Sequence, residues 1–259
     1  MKEKYEKLVS FNYKMGFLHL IQGFIMLFLS VSVIQKIAEF KPMIVQNYLS
    51  FNTLTSSLEP ATRNLFNLQF GVLVSSFLFI SAIAHFIIVL NQEKYVAGLK
   101  EGINRFRWYE YAISSSIMIT LIATLFGVYD IASLILIFIL NATMNLFGLL
   151  MEQVNIGNDK KNIKWAPFIF GAIAGIAPWI VILLYMFGTG NFDLVPWFVW
   201  AIIITYFVAF NTFPINMILQ YKKVGKWKDY LYGERVYIIL SLVAKSALAW
   251  LVLFGAMQP

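Results

Sequence analysis

VYIILSLVAKSALAWLVLFGAM, residues Val236–Met257, decides how the chain is read. The stretch is apolar apart from two serines and one lysine, and it is long enough to cross a bilayer as a helix. A charged side chain at the centre of such a helix costs roughly 2.5–3.5 kcal/mol on insertion scales, so Lys245 needs a compensating role. Three roles are open. The amine snorkels to an interface, which its mid-span position disfavours. It pairs with a buried acid. Or it is a nucleophile, because a primary amine condenses with an aldehyde and an apolar pocket keeps that amine neutral and reactive.

The rest of the chain has the same character. Its 259 residues are 60% hydrophobic and 13% charged, with a mean hydropathy of +0.73. That composition belongs to an integral protein of the cell membrane whose surroundings are the lipid bilayer. There is no cysteine, so no disulfide and no thiolate metal or redox site. Two histidines do not build a metal centre. The first dozen residues, MKEKYEKLVSFN, lack the short apolar core and small-residue cleavage site of a signal peptide, so the first span is expected to act as the insertion signal.

Apolar stretches of spanning length recur at about 15–35, 64–90, 106–128, 131–151, 166–187, 194–220 and 235–257. The expected fold is an all-α membrane bundle of seven transmembrane helices forming one domain over residues 1–259. Of the twenty Lys and Arg, sixteen fall on one side of this arrangement. They run from Lys2 to Lys14, Lys94 to Arg107, Lys160 to Lys164 and Lys222 to Arg235. Only Lys36, Lys41 and Arg63 fall on the other side, and Lys245 lies between. The positive-inside rule puts the N-terminus in the cytoplasm and the C-terminus outside. The same rule accounts for the net charge of +7 without nucleic acid. The outer segment Lys36–Thr62 contains two β-like pieces, Met43–Leu49 and Phe51–Leu58, and is expected to form a short extracellular hairpin. The other outer connections, at Tyr129–Asp130 and Gly188–Asp193, are tight.

Orientation gives depth to the few polar residues inside the spans. Glu110 lies about one turn inside the inner end of the third helix. His19 and Gln22 on the first helix, Ser81 and His85 on the second, and Ser241 on the seventh fall in the same layer, between Lys245 and the cytoplasm. A cationic imine nitrogen at Lys245 needs an anion, and Glu110 is the carboxylate placed to serve. Ser241, at i−4 from Lys245, faces the same way. The histidines are candidates to hold a displaced proton. The plainer readings are that the histidines only pack helices and that Glu110 pairs with Arg107. The membrane aldehyde that such an amine would hold is retinal.

Several stretches together resemble the heliorhodopsin family: HLIQ at His19–Gln22, SAIAH at Ser81–His85, RWYEYAISSSIM at Arg107–Met118, NATMNLFGLLME at Asn141–Glu152, FNTFPINMILQYKKVGKWKDYLYGE at Phe210–Glu234 and LSLVAKS at Leu240–Ser246. The resemblance implies all-trans retinal as a protonated Schiff base on Lys245, with Glu110 as counterion. It implies His19, His85, Ser81 and Ser241 as members of the inner polar network. It further implies that Ser115, Met118, Ile119, Asn141, Met144, Asn145, Gly148, Phe210 and Met217 line the chromophore, and that the protein is a homodimer. Helical spacing independently puts Phe210, Phe213, Pro214 and Met217 on one face, and Asn141, Met144, Asn145 and Gly148 on another. The chain departs from the family pattern at Asn145, where an apolar residue is expected, and at Met217, where glutamine is. Trp250 either touches the chromophore or packs.

The expected function is light sensing with internal proton transfer and no net pumping. Between Lys245 and the outer surface the spans carry no Asp, Glu, His, Lys or Arg, so one side lacks a titratable path. The alternative is a light-gated or light-driven ion conductor. Basic inner loops, chiefly Lys222–Lys228, offer a place for an unknown cytoplasmic signalling partner, or only set topology. No nucleophile–base pair, metal-ligand spacing or phosphate loop points to an enzyme.

Overall fold

The computed structural model describes residues 2–158, 161–188, 190, 195 and 197–256. Lys160, Asn191–Asp193 in the tight connection expected at 188–193, the start of the sixth span at 194, and Met257 lie outside the described residues. Seven long helices account for most of the rest: α1 (Lys2–Phe28), α3 (Phe70–Leu90), α5 (Arg105–Leu125), α6 (Ile131–Val154), α7 (Ala166–Phe187), α8 (Trp197–Tyr221) and α9 (Tyr230–Ala256). Between α1 and α3 come a short helix α2 (Gln35–Glu39) and an antiparallel hairpin of β1 (Met43–Asn52) and β2 (Ser57–Asn67). A ten-residue helix α4 (Gln92–Glu101) links α3 to α5 at the other end of the bundle, called the basal end below.

Six of the long helices are apolar enough to cross a membrane. The exception is α5, which carries Arg107, Glu110 and three consecutive serines. It packs against α3, α6 and α7. A helix clad in protein rather than lipid can be polar, and that is why hydropathy alone understates α5.

Helix boundaries depart from the sequence reading where hydropathy is blind. Helix α1 begins at Lys2 rather than near residue 15. Its polar first turns are tied by Lys7 to Glu3 at 2.6 Å and bury Leu8, Asn12 and Met15. Residues 64–67, expected in the second span, belong to β2, and α3 starts at Phe70. The piece Phe51–Leu58, expected as one strand, instead contains the turn between β1 and β2, with Ser56 in the left-handed region at φ 51°. A two-stranded ribbon is all edge, so Pro60 opposite Leu49 removes no interior ladder bond.

The hairpin is fastened to the bundle by a backbone hydrogen bond and by the Asp130 carboxylate. Val45 N–H donates to Tyr129 O at 3.0 Å. Asp130 Oδ1 accepts from Asn47 N–H at 3.2 Å, and its Oδ2 accepts from Ser133 N–H at 3.0 Å as the N-cap of α6. Partial burial opposes ionisation, but these amides hold the Asp130 carboxyl below its usual range.

Packing within the bundle uses glycine where helices approach closely. A Cβ on Gly16 or Gly23 of α1 would come within 3.0 Å of Phe86 or 2.8 Å of Phe79 on α3. The largest apolar core lies toward the hairpin end and includes Met26, Phe77, Leu78, Ile119, Ile122, Leu248 and Val252. Trp250 packs against it.

Candidate functional site

Lys245 sits in the fifth turn of α9 and is 3% exposed. Its Nζ donates to Glu110 Oε1 at 2.6 Å and to Ser81 Oγ at 2.6 Å. Ser81 in turn lies 2.7 Å from the same Glu110 oxygen. Three helices, α3, α5 and α9, thus each contribute one member of a closed triangle. Helix periodicity delivers them: Glu110 is in the second turn of α5, and Ser81 shares the α3 face that also presents His85, one turn on. Glu110 pairs with Lys245 and not with Arg107, so the plainer reading of that carboxylate is corrected. The Tyr111 ring lies 5.4 Å from the amine.

The inner polar layer assembles on the basal side of this triangle. A small cavity is lined by Ser81, His85, Glu110, Ser241, Asn12 and Arg107, among others. His85 and His19 stack with ring centres 5.5 Å apart and planes 14° apart. His85 Nδ1 is bonded to Asn12 Oδ1 at 2.8 Å, not to Glu110. Neither ring nitrogen of His19, and not Gln22 Oε1, meets a hydrogen-bond partner among the described residues. Asn12 Nδ2 lies 3.3 Å from the hydroxyl of Tyr95 on α4, which is 2% exposed. Burial pushes the Tyr95 phenol well up, so it stays neutral.

On its other flank Lys245 closes one end of an apolar cavity of about 290 Å³. Ligand pockets typically start near roughly 300 Å³. Of the expected lining residues, Ser115, Met118, Met144, Asn145, Gly148, Phe210, Met217 and Ser241 reach its wall. Ile119 and Asn141 do not. Ile119 is turned into the apolar core. Asn141 stands behind the wall, donating to Ser115 Oγ at 2.7 Å and Ser116 Oγ at 3.0 Å. Asn145 donates to Ser115 Oγ at 3.0 Å. Ser115 donates to Tyr111 O at 2.7 Å, so its hydroxyl is fully engaged. Trp108, Tyr111, Trp179 and Gly175 also line the cavity and were not singled out from the sequence. Gly148 is required because a Cβ there would strike the Trp108 ring. Pro214, within α8, lacks the N–H that would bond Phe210 O, which loosens the helix at the cavity wall.

The sequence reading missed a second buried charge cluster at the basal end. Arg107 bonds Glu152 of α6 and Glu234 of α9 through its two terminal nitrogens. Asn104 donates its N–H to Glu152 at 2.9 Å and its amide to Glu234 at 2.7 Å. Trp108 Nε1 donates to Glu152 at 2.7 Å, and the guanidinium lies 3.8 Å from the Tyr237 ring centre. The signal was available: Arg107, Glu152 and Glu234 each lie near the same end of a span. Glu152 is 3% exposed, a buried partner in the last turn of α6.

The chain matches the family model described as Heliorhodopsin over residues 8–257. No curated protein matches it.

Proposed function

Because the chain belongs to the heliorhodopsin family, we propose that it is a light sensor that holds retinal, all-trans in the dark, on Lys245 with Glu110 as counterion. The family implies a retinal chromophore and a multi-pass integral protein of the cell membrane. One observation carries the residue assignment: a buried primary amine at the end of an apolar cavity, bonded to a single carboxylate at 2.6 Å. The fit to a polyene aldehyde is good. Aromatic and glycine positions clear a slot for an apolar chain, and the lining includes the primary amine of Lys245. Bound there as an imine, retinal supplies a visible absorption band and a light-driven isomerisation.

The chain's own residues do the rest. Glu110 neutralises a cationic Lys245 nitrogen in a low-dielectric site, and Ser81 bridges the two. When the nitrogen gives up its proton, the basal cavity offers His85 and Ser241 close by. The hairpin side offers apolar packing through Met26, Phe77, Ile119 and Leu248. Thr120 and Thr124 there bond backbone carbonyls of their own helix. A proton therefore has somewhere to go on one side only, and it returns the way it left. This supports internal transfer without net transport.

The lysines of the basal loops support a cytoplasmic N-terminus and an extracellular hairpin and C-terminus by the positive-inside rule. A homodimer and a cytoplasmic partner docking near Lys222–Lys228 complete the reading, on the strength of the family resemblance and of that basic loop. The test is reconstitution of the purified protein with all-trans retinal. A visible band that is lost in Lys245→Ala is expected, and a band that persists in that variant overturns the reading. A protonophore-sensitive light-driven pH change in cells would refute the absence of pumping, and a photocurrent under voltage clamp would replace the sensor with an ion conductor.

A further inference from the structure

We infer that Asn12 sets the tautomer of His85 and so leaves Nε2 of His85 as the atom that receives the proton displaced from Lys245. The inference deepens the proposed function and rests on it for the source of that proton.

The logic runs along three hydrogen bonds. Asn12 is 1% exposed on α1. Its amide has one end 2.9 Å from Leu8 O, the carbonyl one turn earlier. A carbonyl oxygen only accepts, so the NH₂ end of the amide must face it. Reversing the amide would set two acceptors against each other in a buried site, at the cost of an unmade hydrogen bond. The Oδ1 end is thereby turned to His85 Nδ1 at 2.8 Å. Oδ1 also only accepts, so Nδ1 must carry the hydrogen. A neutral imidazole has one N–H, and Nε2 is then the bare, basic nitrogen. Tyr95 reinforces the orientation, because its hydroxyl accepts from the same NH₂ group at 3.3 Å.

His85 is thus preset while its neighbour is not. His19 stacks on it, yet neither His19 nitrogen meets a partner among the described residues. The titratable and charged groups around His85 are His19 from α1, Arg107, Glu110 and Tyr111 from α5 and Lys245 from α9, and the Tyr95 phenol from α4 lies beyond Asn12. Ser81, one turn before His85 on α3, accepts from Lys245 Nζ at 2.6 Å and lines the same small cavity as His85. The step balances simply. One proton leaves the Lys245 nitrogen and adds to the Nε2 lone pair, giving an imidazolium with both nitrogens protonated. Nδ1–H keeps its bond to Asn12 throughout. Asn12 is a positioning residue, acting through His85.

The chain has only two histidines, which makes the test clean. Holoprotein is prepared with ¹⁵N-labelled histidine and side-chain ¹³C-labelled asparagine, and solid-state NMR reads the ring nitrogens in the dark. The expected result is one histidine with Nδ1 protonated, Nε2 bare and through-space transfer from Nδ1–H to an asparagine side chain. Nε2–H on both rings, or a protonated Nδ1 with no asparagine contact, overturns the inference without any variant. In Asn12→Leu the ratio of Nδ1–H to Nε2–H should fall about fivefold, which is the usual net contribution of about 1 kcal/mol for one hydrogen bond. An unchanged ratio in a folded, pigmented Asn12→Leu overturns it as well. In the light state with a deprotonated Lys245 nitrogen, Nε2 should gain a proton, and a bare Nε2 in that state refutes the transfer step. Failure of wild-type protein to form any visible band would instead refute the retinal reading, and the dark tautomer is read independently of it.

Discussion

Glu110→Gln is the most revealing substitution. The side chain keeps its size and one oxygen, so packing against α3 and α9 is preserved while the charge is lost. At 2.6 Å and an effective dielectric near 20, Coulomb attraction between the pair is about 6 kcal/mol. Removing one partner of a buried pair costs about 3–5 kcal/mol in measured systems, because the other charge is left uncompensated. The protonated state of the Lys245 nitrogen should therefore lose roughly two to four powers of ten in population, at about 1.4 kcal/mol per tenfold. Ser81 remains as an acceptor but brings no charge. The assay is the visible spectrum of the reconstituted variant, titrated over pH. The account expects a band strongly shifted to the red, or moved to the ultraviolet as the nitrogen loses its proton. An unchanged band with an unchanged titration would refute Glu110 as counterion, and with it the electrostatic argument for the site.

Arg107→Met should destabilise the protein by about 3–5 kcal/mol, since it strands the Glu152 and Glu234 carboxylates in a buried site; thermal bleaching of the pigment reads this, and a wild-type bleaching temperature would refute it. Gly148→Ala should cost about 1–3 kcal/mol, because the added methyl meets the Trp108 ring; bleaching temperature and band position of the variant together check it, and wild-type values for both count against the packing seen. The Asp130 carboxyl lies below its ordinary value of 3.8 in the folded chain, so its contribution is complete above that value and is lost as pH falls through the lower folded one. Amide exchange in β1 should accelerate in that acidic window, and Asp130→Asn should remove the pH dependence.

Much of this site was readable from one strand of reasoning: hydropathy gives spans, basic loops give direction, and direction gives depth. That is why Lys245, Glu110, Ser81, His85 and Ser241 emerged as neighbours although they are distant in sequence. Depth says nothing about azimuth. Asn141 and Ile119 sit at plausible heights, yet Asn141 reaches Ser115 and Ser116 of α5 behind the cavity wall and Ile119 joins the apolar core. Azimuth also decided the fate of Arg107. Its side chain reaches back toward the start of α5, to Glu152 and Glu234, rather than along the helix to Glu110. The role of Tyr95 was hidden because it lies on α4, an amphipathic helix outside any span. The strand β2 was lost for a related reason: Leu65 and Phe66 read as the start of a span, whereas the hairpin uses them before α3 begins.

The central claim is a covalent bond to one nitrogen. Borohydride reduction of the reconstituted pigment, followed by proteolysis and mass spectrometry, traps that bond as a stable secondary amine. The account predicts the added mass on the fragment containing Lys245, and no label on Lys245→Ala prepared the same way. A label on any other lysine, or none on a pigmented protein, would contradict it.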